Sequence, residues 1–258
     1  MTNKLSPRFS GLGKAGLGVV LVSGVWAQPA WASPAASAAD SARPGQHPTS
    51  GGTNLSGNPF DPLVPNAKWT YDYTVGKTSF TLSETVAGSR PTSSGTQVTV
   101  NTTSSLLPRK VTPYAYTIEH GGAVEVETSP SSGASFSTGY WTPTASQIET
   151  CAACKFSGPF SSTISGQSEK GTLSETATAL GPHTVTVPAG TFSTEEVKTI
   201  VGMHAIRSQP MTMSLTIRYF FAKNVGVVET IGGNLRVTVT GQSVTTPLGS
   251  EKLESYKP

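Results

Sequence analysis

The sequence predicts an all-β protein built as an antiparallel meander, and three observations predict it. Apolar and polar residues alternate with a period of two over many short runs. Successive side chains on a strand point to opposite faces, so such runs read as strands with one face on a core. Glycine-containing turn signals such as Gly76-Lys77 and Gly121-Gly122 separate the runs. No stretch sustains the 3.6-residue apolar period of a helix.

Not all of the 258 residues belong to that meander. Lys4, Arg8 and Lys14 precede an apolar run from Leu17 to Trp26, and Ala30-Trp31-Ala32 follows as a small-x-small cleavage signal. This is the layout of a secretory signal peptide over 1–32, cut after Ala32. A membrane-spanning helix needs about 20 apolar residues, more than this run offers, so no membrane span is expected. Residues 33–58 are Ala, Ser, Pro, Gly and Thr with a single large aliphatic, Leu55. They bury too little to offset the entropy of ordering and read as a disordered spacer. The remaining 59–258 is long enough for one all-β domain with a sizeable core.

The basic surplus of the whole chain disappears with the leader. Three of the 18 Lys and Arg lie there and none of the 15 Asp and Glu, which leaves the mature chain balanced. Nothing remains to attract nucleic acid electrostatically.

Within the domain, Trp69, Tyr71, Tyr73 and Val75 alternate with Thr70, Asp72 and Thr74, a strand with an aromatic face. Gly76-Lys77 turns the chain into a partner strand over 79–86; 88–95 reads as a polar loop, and Val98 and Val100 mark the next strand. Residues 108–113, bounded by prolines, read as a break. Tyr114, Tyr116 and Ile118, then Val124 and Val126, flank Gly121-Gly122 as a hairpin, and 129–137 reads as a flexible crossover. Thr144 is placed to cap a short helical turn. Residues 156–181 supply two or three polar strands, followed by strands over 183–192 and 196–204. The strongest pattern comes next: Met211, Met213, Leu215, Ile217, Tyr219 and Phe221 share one parity and Thr212, Ser214, Thr216 and Arg218 the other. Strands over 225–231 and 235–240, joined by Gly232-Gly233 as a hairpin, complete the sheet.

Two motifs bear on chemistry. Cys151-Ala-Ala-Cys154 holds both cysteines, and in a secreted chain the first expectation is a local disulfide. A redox pair would need a βαβ setting that is not visible, and a zinc site two further ligands, for which His183 and His204 are isolated candidates. The flanking Tyr140, Trp141, Phe156 and Phe160 would make the stapled loop a ligand lip or a plug. The second motif is a recurrence: Leu82-Ser-Glu-Thr85 and Leu173-Ser-Glu-Thr176. In each, the Glu shares parity with apolar neighbours. Two carboxyls facing one cavity can share a proton or divide acid and base roles. No nucleophile elbow, P-loop, dinucleotide fingerprint or H-E-x-x-H motif occurs, and no cofactor or metal is called for.

Three stretches in order carry a resemblance. The opening from Pro59 to Tyr71, with its short F-x-P-L phrase and W-x-Y, resembles that of a family of secreted bacterial β domains of unknown function. Val187-Pro-Ala-Gly-Thr-Phe192 is similar to that family's internal turn, and 219–228, YFFAKNVGVV, to its late strand. The resemblance implies a strongly curved antiparallel sheet, a half-barrel or open barrel similar to periplasmic lipoprotein carriers. It supplies no catalytic residue. The Ser/Thr-rich middle with its Cys pair departs from the pattern, and no lipoprotein cysteine follows the leader.

The reading that follows is a secreted, non-catalytic binding module of the cell envelope or exterior. Its ligand, a lipid or other apolar or amphipathic molecule, would lie on the face lined by Trp69, Tyr71, Tyr73, Met213, Ile217 and Tyr219. Two alternatives stand beside it. The face is a filled core and the protein meets an envelope partner through its surface; or Glu84 and Glu175 form a hydrolase pair.

Overall fold

A computed structural model describes residues 53–93, 95–119, 123–128, 134–141, 143–164, 167–206, 211–239 and 241–258. The leader, most of the spacer and the Gly121-Gly122 turn lie outside the described residues.

One antiparallel sheet contains every strand among the described residues. In chain order these are β1 (Lys68–Val75), β2 (Thr78–Pro91), β3 (Gly95–Ser104), β4 (Leu107–Glu119), β5 (Ala123–Thr128), β6 (Ala134–Trp141), β7 (Cys154–Ile164), β8 (Gln167–Val187), β9 (Gly190–Ile206), β10 (Met211–Ala222), β11 (Gly226–Val239), β12 (Gln242–Pro247) and β13 (Ser250–Lys257). Strands β1 to β10 pair each with the next in sequence, β10 also pairs with β11, and β13 lies between β1 and β11. The sheet is therefore strongly rolled without closing into a full barrel. At the β11–β13 seam only three residue pairs join the two sides, Glu229–Lys252, Thr230–Glu251 and Ile231–Ser250. This is the strongly curved, open-barrel meander the sequence predicts.

The Met211 strand sits where its parity places it, in the body of the sheet between β9 and β11. Its inner face, from Met213 to Phe221, is buried. A short helix, α1 (Ala145–Thr150), begins at Thr144 with a reciprocal capping box to Gln147. It buries Ile148 and ends at Cys151, whose carbonyl accepts from the Ala179 N–H at 2.7 Å. Cys151 and Cys154 are disulfide-bonded, so the staple fixes the end of α1 to the start of β7.

Residues 88–91, read as loop, extend β2, and 183–192, read as one strand, is divided between β8 and β9; four further local expectations change. Gly232-Gly233 is not a turn: β11 runs through it as one strand. There β11 exchanges its partner β13 for β12. A Cβ on Gly232 would run into the carbonyl of Gly249, and one on Gly233 would lie 3.0 Å from the Thr216 carbonyl. The glycines serve close approach of backbones, not reversal. Second, β4 continues through Pro108 to Pro113, with Pro113 opposite Asn101, and the only irregularity is a register shift at Thr103/Ser104. Third, 134–137, the described part of the expected crossover, belongs to the strand β6, paired on both sides; 129–133 lie outside the described residues. Fourth, residues 54–58 belong to the ordered body. The Leu55 N–H donates to the Leu63 carbonyl, and Asn54, Ser56 and Asn58 knit a local turn with their side chains. Side-chain hydrogen bonds do there what apolar burial does elsewhere.

Residues 59–67 fold over one end of the roll. Phe60, Leu63 and Val64 are buried, with Phe60 edge-on to Phe221. At the same end, the β8–β9 hairpin reaches across to β13. The Ala189 N–H, in the V-P-A-G turn, donates to the Leu253 carbonyl, one residue beyond the last β11–β13 pair.

Candidate functional site

The inner face divides into two parts. In the part next to the 59–67 segment, aromatic side chains span the roll. The Trp69 indole N–H donates to the Val225 carbonyl, and the Tyr71 hydroxyl to the Val227 carbonyl at 3.0 Å. Both side chains are fully buried, and Gly226 lies close under Trp69 with φ +99°, where a side chain would be strained. Trp69 and Tyr71 are thus structural members of a packed core, each with its polar handle satisfied. Tyr73 is half-buried and stacks on Phe80 with centroids 4.9 Å apart. Tyr219 is buried on β10 opposite Val197 and Thr230.

The second part is built by β8 to β11. Cross-strand register sets Glu175, Val201, Leu215 and Leu235 in one row. The next rows hold Ala177, Thr199 and Ile217 on one side, and Leu173, Met203, Met213 and Val237 on the other. Met203 and Met213, the least tightly covered of these buried residues, face each other across β9–β10, and Met211 beyond them is half-buried. Of the six residues the sequence nominates for a ligand, Met213 and Ile217 fall here, while Trp69, Tyr71 and Tyr73 do not.

Glu175 stands in the middle of that apolar surface. It is 2% exposed, and neither carboxyl oxygen has a hydrogen-bond partner. Burial alone pushes its pKa up to about 8. The Thr199 hydroxyl, one row away on the adjacent strand and equally buried, also lacks a partner. Diagonal neighbours on adjacent strands lie about 7 Å apart, within reach of a Glu side chain.

Glu84 occupies a different site. It too is buried and raised to about 8, first by burial, with Glu251 adding to the rise and Thr102 opposing it. Thr102 is its direct cross-strand partner. Asp61, in the covering segment, is raised to about 7 by burial. The structure does not bring Glu84 and Glu175 together. They stand on β2 and β8, remote in strand order, and the carboxylate that Glu84 responds to is Glu251. The two acids do not form the close pair that glycosidase chemistry requires.

Asp61, Glu84, Glu175 and Glu251 are buried, whereas each Lys and Arg whose side chain is described is exposed. Glu196, also buried, belongs to the outer face. It is held by His183 Nε2 at 2.8 Å and by the Arg218 guanidinium, which also lies over the Phe220 ring. No group of three or more His, Cys, Asp or Glu side chains among the described residues is arranged to hold a metal ion. His183 is engaged with Glu196, and His204 is exposed on β9.

Sequence reasoning found both LSET glutamates and their inward parity. It missed Glu251, which shares its face with Leu253 in a strand whose only apolar aliphatic is that leucine. It also missed Thr199, whose isolation is a matter of register.

No family model matches the chain, and no curated protein does. Among solved structures it is similar to a protein described as a lipoprotein from Parabacteroides distasonis, with 15% identity, TM-score 0.49, and coverage of 78% of this chain and 99% of that one. It is similar also to an exported protein with a YmcC-like fold from Bacteroides fragilis, at 16% identity and TM-score 0.46, covering 75% of this chain and 96% of that one. A third is the hypothetical lipoprotein YmcC from Escherichia coli, at 11% identity and TM-score 0.41, covering 76% and 86%.

Proposed function

We propose that the protein is a non-catalytic binding module of the cell envelope or exterior, which takes an apolar or amphipathic ligand against the inner faces of β8 to β11. The observation that carries the reading is Glu175. A buried polar group without a partner costs about 1–3 kcal/mol, and here it sits at the centre of an apolar surface where Leu or Val would pack without that cost. A ligand that supplies the missing partner accounts for its presence. The methionines support an adaptable entrance, because Met side chains repack readily around differing apolar shapes. Export rests on the leader-like sequence of 1–32.

Native mass spectrometry of the mature protein from its own culture tests this. The expected result is a stoichiometric adduct that organic solvent removes. A bare protein that also leaves the uncharged probe N-phenyl-1-naphthylamine dark overturns the reading.

A second reading has its own support. Trp69 and Tyr71 are sealed against the β11 backbone, so that half of the face is core. If the other half is core as well, the protein acts through its surface on an envelope partner, and the same experiment returns the bare, dark protein.

A further inference from the structure

The ligand-binding reading leaves the chemistry of the ligand's polar end open, and the inner face restricts it. Glu175 offers two carboxyl oxygens and Thr199 one hydroxyl oxygen, all buried and all without partners. Around them the rows supply Val201, Leu215, Leu235, Ala177, Ile217 and Leu173, and Phe156 stands opposite Glu175 on β7. Each Lys and Arg whose side chain is described is exposed, so none of them meets an anion there. The charged groups that face inward elsewhere, Asp61, Glu84 and Glu251, are acids as well.

We infer that Glu175 and Thr199 form the head-group subsite for an amphipathic primary amine, with the alkyl body lying along the Met203–Met213 rows. A primary ammonium carries three donors and no acceptor, which matches three unpartnered acceptor oxygens one row apart on adjacent strands. A carboxylate head would find acceptors where it needs donors and like charge where it needs opposite charge. An alcohol could satisfy only part of the set. Binding moves one proton: Glu175, neutral in the free protein near pH 7, gives up its proton to solvent as the ammonium takes its place. No bond to carbon is made or broken. The elevated carboxyl of Glu175 fits this exchange, since burial without a cation is what raises it.

The inference rests on the proposed function, and the test separates the two. Dodecylamine, dodecanol and dodecanoate are each titrated into the full mature protein at pH 7, with displacement of N-phenyl-1-naphthylamine as the readout. Dodecylamine is expected to bind at least about tenfold tighter than dodecanol, as a buried charge-assisted contact requires, and dodecanoate weakest. Isothermal titration in buffers of different ionisation enthalpy should report about one proton released per amine bound. Glu175→Gln should abolish both the amine preference and the proton release. Should that variant not fold, Thr199→Val, which removes one acceptor and keeps the shape, should lessen the preference. If dodecanol or dodecanoate binds as tightly as the amine, or the preference survives in Glu175→Gln, the amine subsite is wrong and the apolar site stands. If none of the three binds, both fall.

Discussion

The same four residues, Leu-Ser-Glu-Thr, occur on β2 and on β8, and the two glutamates they carry meet different fates. Glu84 faces Thr102 across the β2–β3 ladder and lies in the field of Glu251. Glu175 faces Val201 on one side and Phe156 on the other, and burial is the whole of its perturbation. Both titrate near pH 8, but for different reasons: in one a hydroxyl and a second acid pull in opposite directions, in the other nothing pulls. Local sequence fixes which way a strand residue points. Register, set by residues far away in the chain, fixes what it meets.

The arrangement around Glu84 depends on glycine more than on charge, and this gives the largest expected effect. Gly249 lies between β12 and β13, two residues from Glu251. A Cβ there would collide with the Thr74 carbonyl and lie 2.6 Å from a Val75 methyl and 2.8 Å from the Tyr73 ring. Gly249→Ala should cost about 2–3 kcal/mol, as overpacking against backbone does, measured by urea unfolding. It should also move β13 away from β1, and with it Glu251 from Glu84, leaving the titration of Glu175 alone. Gly88→Ala on β2, where an added Cβ meets nothing within 4 Å, should be neutral or slightly stabilising. Equal losses at the two glycines would remove close packing as the reason for the seam.

That seam is also where the sequence reads least well. The inward parity of Trp69, Tyr71, Glu84, Glu175 and the Met211 run was legible because each sits among apolar residues of its own strand. The capping of α1 by Thr144 was legible from its local chemistry. Gly232-Gly233 looks like a hairpin signal because the residues that make it necessary, Leu248 and Gly249, come later and meet it only in space. Strand β12 is exposed throughout, and β13 alternates Glu251, Leu253 and Ser255 with Lys252 and Glu254. Neither carries an apolar period, so pairing to their neighbours, rather than pattern, makes them strands. The candidate site divides in the same way: Met213 and Ile217 follow from alternation, while the solitude of Glu175 and Thr199 depends on which strand lies alongside.

The second effect separates the two glutamates energetically. For each, the folded pKa near 8 lies above the ordinary 4.5. Below about pH 4.5 both folded and unfolded chains hold the proton. Between pH 4.5 and 8 the unfolded chain releases it and the folded chain does not, so stability falls as pH rises and levels off above about pH 8. Glu175→Leu should therefore stabilise the protein by about 2 kcal/mol at pH 4, the cost of an unpartnered buried polar group, and by more at pH 8, where ionisation of the unfolded chain adds to it. Glu84→Leu should gain less at pH 8, because Glu84 is less completely buried than Glu175. Unfolding by urea at pH 4, 6 and 8 measures both. A Glu175→Leu protein as pH-sensitive as the parent would mean that the carboxyl already has a partner.

The smallest effect tests whether Glu84 and Glu251 act on each other. Burial is the larger cause of the shift at Glu84, and Glu251 adds a lesser one through charge. Glu251→Gln keeps the shape and hydrogen-bonding capacity but removes the charge, so Glu84 should titrate a fraction of a pH unit lower. Tyr71 and Tyr73, both raised in part by Glu251, should move in the same direction. Glu175 should not move, because burial is the only cause of its shift. Side-chain carboxyl carbon shifts followed by NMR over pH 5–10 give each midpoint separately. If Glu175 shifts as far as Glu84, the two sites share one electrostatic environment, and the difference between the two Leu-Ser-Glu-Thr strands reduces to the hydroxyl of Thr102.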